Sequence, residues 1–411
     1  MAFWHNPLTR AANFAALGCL FSMALGTPTA SAVVKPGIPE IGFPVAPQIA
    51  KRVWFWEGVF SRYPSSTVLI HDTDNPELIV DVLDFKVINS RNGRNLDRRD
   101  KDRLIQRYLD RYHLAIQRFK QHGEDATKFG SIEERIYSVY SRNDRALVDL
   151  YNGKSLMRSQ QGLADEFAKA AQRASGYLPQ MEKIFLSYNL PRDLTRLPFV
   201  ESMFTTGAIS KVGATGIWQF MPYTAKTYML VNSYIDERNA PFKATRAAAR
   251  LLADNFSELR SWPLAITAYN HGRAGMAKAA RSTGTNDLGA IVENFDGPSF
   301  GFASKNFYSE FIAARNVYNK HFENRLSHSK SNELTPITLR KRISISQLVR
   351  FTPLDTQTLQ KHNPCLLPRA YSAYRYQPLP ANYEIFVPNN LARDVKVALD
   401  RIKAQVYTAR K

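Results

Sequence analysis

The stretch Leu197-Pro198-Phe199-Val200-Glu201-Ser202-Met203-Phe204 sets a single ionisable side chain, Glu201, inside an apolar run. A carboxyl in such surroundings loses hydration on ionising, so its pKa rises and it keeps its proton. Upstream, apolar residues recur at three- and four-residue steps over 178–188, as a helix packed on one side requires. Pro191 suits a first helical position, and Asp193, two residues on, lies near the positive end of the helix dipole. Glu201 is thereby placed at the end of a short helix in a mainly α-helical region.

Between Glu201 and Asp236 no other acid occurs, although Lys211 and Lys226 do. Cleavage of a glycosidic bond ordinarily needs two carboxylates, one as acid and one as base or nucleophile. Either the second comes from elsewhere in the chain, or the substrate provides its own nucleophile, as some sugars bearing an N-acetyl group do. Downstream, Gly207 and the block Gly213-Ala214-Thr215-Gly216-Ile217-Trp218-Gln219-Phe220-Met221-Pro222 combine glycines, which permit close backbone approach, with Gln219, both donor and acceptor. Ala268-Tyr269-Asn270-His271-Gly272 then adds a phenol and an amide at a helix terminus, with Gly272 as its stop. Each residue has a plainer reading: Glu201 as a partly buried helix-end acid, Phe220 and Met221 as core, Asn270 and His271 as caps, Ser202 as a backbone partner.

In order and approximate spacing, Glu201-Ser202, the 213–222 block and Ala268-Tyr269-Asn270 resemble the lytic murein transglycosylases of the membrane-bound D type, within the goose-type lysozyme superfamily. The resemblance covers about residues 178–320. It implies a lysozyme-like α-helical catalytic domain that cleaves the β-1,4 bond between N-acetylmuramic acid and N-acetylglucosamine in peptidoglycan, without metal or other cofactor. It implies further that Glu201 protonates the glycosidic oxygen and then, as carboxylate, takes the proton of the muramic acid's own C6 hydroxyl, leaving a 1,6-anhydro end. Ser202, Ser210, Gln219 and Met221 would contact sugar, Tyr269 would lie near the Glu201 carboxyl, and Asn270 would orient the turn. A hydrolytic muramidase on the same fold, or a wall-binding scaffold, are the alternatives. Gly301-Phe302-Ala303-Ser304-Lys305-Asn306 departs from many relatives in lacking an acid before the last helix.

Outward from this centre, 176–325 is expected to form the catalytic domain and 51–175 a helical region with a β-hairpin. In that region Thr67-Val68-Leu69-Ile70 and Leu78 to Leu83 flank the turn Asp72-Thr73-Asp74-Asn75-Pro76. Helical patterning is expected over 101–121, 131–150, 156–174, 243–259 and 263–270. Residues 336–390, with Ile345-Ser346-Gln347-Leu348, His362-Asn363-Pro364 and the strand Tyr383 to Pro388, resemble a degenerate LysM module, a small α/β unit of a family that binds N-acetylglucosamine chains. Residues 391–411 read as a basic helix.

Residues 33–50, rich in proline, read as an extended linker. Before it, Arg10, the apolar stretch 11–26 and Ala30-Ser31-Ala32 make residues 1–32 an export signal, with a retained anchor or lipidation at Cys19 as alternatives. Export would leave Cys365 as the single thiol, read as buried and structural, and places the chain in the periplasm or cell envelope. With 55 Lys and Arg against 36 Asp and Glu, the net charge of +19 favours an anionic partner. Export excludes nucleic acid, and peptidoglycan glycan strands are the expected partner of a monomeric chain, with association with the membrane or the cell-wall machinery left open. The eight histidines lack metal-ligand spacing, and Val148 stands where Gly153-Lys154-Ser155 would need the leading glycine of a phosphate loop.

Overall fold

The computed structural model describes residues 42–326 and 334–402. The expected export signal, the linker before residue 42 and the end of the C-terminal helix beyond 402 lie outside the described residues. The described chain is mainly helical with two small sheets, and divides into a unit spanning Ala50–Ala164 and a second formed by Phe43–Ile49 with the residues from 165 onward.

In the first unit the expected hairpin forms between β1 (Thr67–Asp72) and β2 (Ile79–Asp84). Its turn is tied by Asp72, whose Oδ1 accepts from the backbone N–H groups of Asp74 and Asn75 at 2.9 and 2.7 Å. Helix Arg98–His122 buries Ile105, Leu109, Tyr112, Ile116 and Phe119 along one face. Two expectations change here. The helical reading of 156–174 fails at its start, because Met157–Gln161 is a strand, β3, paired antiparallel with the other edge of β1. The sheet takes these residues because β1 is buried along its whole length and both its edges need partners. The helix begins only at Ala164. The pattern over 131–150 divides into Ser131–Tyr140 and Asp144–Tyr151, where the Asn143 side chain accepts from the Ala146 N–H and starts a new helix.

In the second unit the linker reading gives way before residue 50. Phe43 packs edge-on against Trp262 and Phe311, Tyr308 donates to the Pro44 carbonyl, and a helix starts at Pro47, where a missing N–H costs nothing. The short helix Leu197–Glu201 packs against helix Phe302–His321 and, through Phe199, against helix Ala164–Ser175; helix Trp262–His271 packs on Phe302–His321 and on Pro241–Leu259, which also meets Leu178–Ser187. Phe199 of that short helix stacks on Phe167 at 4.6 Å and meets Phe204 and Tyr318. Helix Trp262–His271 stops where expected, at Gly272 with φ 88°.

The C-terminal residues pair β4 (Leu334–Leu339) with β5 (Tyr383–Pro388) and place helices Ile345–Phe351 and Thr356–His362 between them in sequence. Their core, built on Ile337, Leu348, Leu359, Cys365, Ile385 and Val395, also contains Ile235 and Ala240, so it is continuous with the segment that follows the glycine block. The Asp236 N–H donates to the Cys365 carbonyl at 2.8 Å, and Lys243 lies over the Tyr383 ring. Cys365 is buried and its thiol is pushed up by burial, as a structural cysteine should be.

The glycine block is moulded on the 236–239 turn. Gly216 has φ 78°, and a Cβ there would stand 2.0 Å from the Arg238 carbonyl oxygen. Gly216→Ala combines a left-handed backbone with a backbone clash, and we expect it to lower unfolding stability by at least about 2 kcal/mol in chemical denaturation.

Candidate active site

Pro198 near its start and Ser202 at its end bound the helix that carries Glu201. The chain then turns through Met203 and Phe204, both in the left-handed region at φ 49° and 56°. Such residues cost about 1–3 kcal/mol each and need outside support. Arg173 provides it, donating from Nε and Nη2 to the Met203 carbonyl at 3.1 and 2.8 Å.

Glu201 is 1% exposed. Among the described residues its Oε2 has no hydrogen-bond partner. Burial accordingly pushes the carboxyl up from its ordinary range. The expectation drawn from the apolar sequence around Glu201 is met in its physical cause.

Hydrogen bonds bring the three distant stretches of sequence together. The Ser202 hydroxyl donates to the Ile217 carbonyl at 2.8 Å, which ties the end of the Glu201 helix to the glycine block. The Tyr269 hydroxyl donates to the next carbonyl, that of Trp218, also at 2.8 Å. Tyr269 is held between Phe220, edge-on at 5.9 Å, and Phe307, parallel at 6.4 Å. Its phenol lies well above its ordinary value through burial and, second, the Glu201 charge. Tyr269 is thus a neutral neighbour of Glu201.

The other expected site residues fall into two groups. Ser202 is buried and committed to the Ile217 carbonyl, and the Ser210 hydroxyl accepts from the Ala214 N–H at 2.9 Å, so both hydroxyls serve the backbone of the block. Gln219 and Met221 each keep a group that is not bonded to the block. Gln219, at φ 47°, donates from Nε2 to the Gly216 and Ala208 carbonyls, which leaves its Oε1 buried and without a partner among the described residues. The two amide hydrogen bonds fix the orientation of that oxygen. Met221 is 40% exposed, beside Phe220 at 2%, so the reading of both as core holds for Phe220 alone. Asn270 Oδ1 accepts from the Ser304 hydroxyl at 3.0 Å, and the same hydroxyl lies 3.2 Å from His271 Nδ1.

Sequence reasoning passed over three supports. Ser304 fixes Asn270, Phe307 backs Tyr269, and Thr245 receives the Trp218 indole N–H at 2.9 Å. Each lies on a helix remote in sequence and carries no pattern of its own. A fourth, Arg238, stood in the polar run Asp236-Glu237-Arg238-Asn239, where an acid and a base two residues apart could have drawn notice. Among the described residues no cluster of side chains suited to a metal ion occurs.

A carboxyl whose folded-state pKa exceeds its value of about 4.3 in the unfolded chain binds its proton more tightly when folded. Stability from this source is complete below that pH and is lost as pH rises through the folded-state value. Glu201→Gln removes the dependence, so thermal melts at pH 4, 6 and 8 should show the variant gaining on the wild type as pH rises.

The Transglycosylase SLT domain family matches residues 183–291. Membrane-bound lytic murein transglycosylase D of Escherichia coli (strain K12) is 30% identical over 112 residues, 27% of this chain and 25% of that protein. A putative tributyltin chloride resistance protein of Alteromonas sp. (strain M-1) is 31% identical over 109 residues, 26% of this chain and 53% of that protein. The aligned part spans about a quarter of the first relative and about half of the second. Among solved structures, an inactive mutant of the lytic transglycosylase Slt from Pseudomonas aeruginosa aligns at 17% identity and TM-score 0.30, over 52% of this chain and 37% of that one. The 70 kDa soluble lytic transglycosylase of Escherichia coli aligns at 17% identity and TM-score 0.32, over 54% and 35%. The segment that holds Glu201, the glycine block and Tyr269 lies within the residues that match the Transglycosylase SLT domain family.

Proposed function

We propose that this chain is a peptidoglycan lytic transglycosylase that cleaves the β-1,4 bond between N-acetylmuramic acid and N-acetylglucosamine and leaves 1,6-anhydromuramic acid ends. The observation that carries the reading is the buried Glu201 carboxyl, raised in pKa by desolvation and with its Oε2 unpartnered among the described residues. One carboxyl can serve both halves of a reaction in which the substrate supplies its own nucleophile. As the acid, Glu201 gives its proton to the glycosidic oxygen while the bond to C1 breaks. As the carboxylate, it accepts the C6 hydroxyl proton while O6 closes on C1, an intramolecular attack that replaces water. The proton lost in the first half returns in the second, and no water is consumed. The substrate's acetamido group steadies the positive charge at C1.

Within this proposal the unpartnered Gln219 Oε1 accepts from a sugar hydroxyl or acetamide N–H. Met221 offers a soft apolar face, Asn270 and Tyr269 line the approach to the acid, and Ser202 and Ser210 shape the block. Residues 336–390 are read as a LysM-like module. The chain would work in the periplasm or cell envelope, where loss of Arg10 with the export signal would lower the net charge of +19 by one, leaving +18 to raise its encounter rate with anionic wall material. No helix among the described residues is long and apolar enough to cross a membrane.

Digestion of purified sacculi by the protein and its Glu201→Gln variant, followed by mass spectrometry of the soluble fragments, tests the reading. Anhydro ends from the wild type, with a loss of at least about 10³-fold in the variant, are expected. Reducing ends would replace the proposal with a hydrolytic muramidase, and sacculus binding without any fragments would replace it with a scaffold. Because the acid must be protonated, activity should decline as pH rises above the elevated pKa of Glu201, and a rate that climbed steadily into alkaline pH would contradict the assignment.

A further inference from the structure

We propose that Arg238 is a positioning residue that sets the orientation of Gln219 toward the glycan, acting through the two ends of the glycine block. The inference rests on the reading of Gln219 as a sugar contact.

Arg238 is 9% exposed and uses its whole guanidinium. Nε and Nη2 meet the Asp236 carboxylate at 2.9 and 2.7 Å, a fork that leaves the remaining nitrogen aimed in one direction. That nitrogen, Nη1, donates to the Gly213 carbonyl at 2.8 Å and the Phe220 carbonyl at 3.1 Å. One guanidinium therefore closes the loop that begins at Gly213 and ends immediately after Gln219. Inside the loop the Arg238 carbonyl leaves no room for a side chain at Gly216, and the Thr215 hydroxyl lies 3.1 Å from Asn239 Oδ1. Gln219 sits in the left-handed region at φ 47°, a conformation that a loop free at either end would leave. Its amide nitrogen is held by the Gly216 and Ala208 carbonyls, so any shift of the loop turns Oε1 away from its present direction.

Arg238 is itself anchored from the far side. The Asp236 N–H is bonded to the Cys365 carbonyl, Ile235 bridges to Leu366, and the Leu367 N–H donates to the Tyr234 carbonyl at 3.0 Å. The C-terminal module thus braces the turn that aims the guanidinium. A lysine at 238 could satisfy the charge of Asp236 or reach one carbonyl, but it lacks the planar fork that does both at once.

A double-mutant cycle separates positioning from general support. On soluble uncross-linked glycan strands, Arg238→Lys should raise KM by roughly tenfold with kcat changed less than about threefold, and should leave the pH profile governed by Glu201 in place. In a Gln219→Ala background, Arg238→Lys should add less than about twofold, because the group it orients is already gone. An equal cost in both backgrounds, or a wild-type KM in the single variant, would overturn the inference. Should Arg238→Lys fail to fold, Asp236→Asn loosens the fork while keeping both carbonyl contacts, and the same cycle applies with the same expectations. If the wild type cleaves no glycan, the proposed function fails separately. The cycle is then read from the binding of N-acetylglucosamine hexamer by calorimetry, where Arg238→Lys should weaken binding about tenfold only when Gln219 is present.

Discussion

An ionisable group removed from water without a partner is the constraint on which the rest of this structure depends. The Glu201 carboxyl has a buried oxygen that nothing among the described residues bonds, and desolvation pushes its pKa up from the ordinary carboxylate range. A site of this kind cannot be made by Glu201 alone. It requires dry surroundings, and several elements must supply them together. The aromatic layer of Phe167, Phe204 and Tyr318 packs on Phe199 of the helix that carries Glu201. Burial also pushes the Tyr269 phenol up, and its hydroxyl is engaged by a backbone carbonyl.

The second feature is the share of strained backbone near the acid. Met203, Phe204 and Gln219 all adopt positive φ, where residues with a Cβ are uncommon. Such conformations persist only where surrounding contacts over-determine them. Here charged side chains bonded to carbonyls provide that excess, Arg173 at Met203 and Arg238 at Gly213 and Phe220. Both guanidiniums lie well away in sequence from the residues they hold, so the geometry of the site is carried by bonds between elements. The continuity of the C-terminal core with Ile235 and Ala240 extends this support beyond the residues 183–291 matched by the family.

Much of the secondary structure was legible. The helices over 101–121, 243–259 and 263–270 appear within a few residues of their expected bounds because their apolar spacing agrees with the face they bury. The hairpin at 67–84 followed from its turn residues. The misreadings share a cause. β3 at 157–161 carries a pattern short enough to fit either period, and only the empty edge of β1 made it a strand. Residues 43–50 look like a linker by their prolines, yet Phe43 finds an aromatic pocket between two helices. At the candidate site, the burial of Glu201 was legible from its isolation in apolar sequence, whereas the contacts made by Ser304, Phe307 and Arg238 were not.

By itself the sequence determined that the Glu201 carboxyl would be buried among apolar neighbours and where most of the helices would run, because local desolvation and periodicity are set by near neighbours along the chain. Only the tertiary structure decided that Ser202 and Ser210 face backbone, that Gln219 keeps a free acceptor, and that a guanidinium at 238 closes the loop around it. Those outcomes depend on which donor meets which acceptor across elements far apart in the chain, and a one-dimensional pattern carries no record of such meetings.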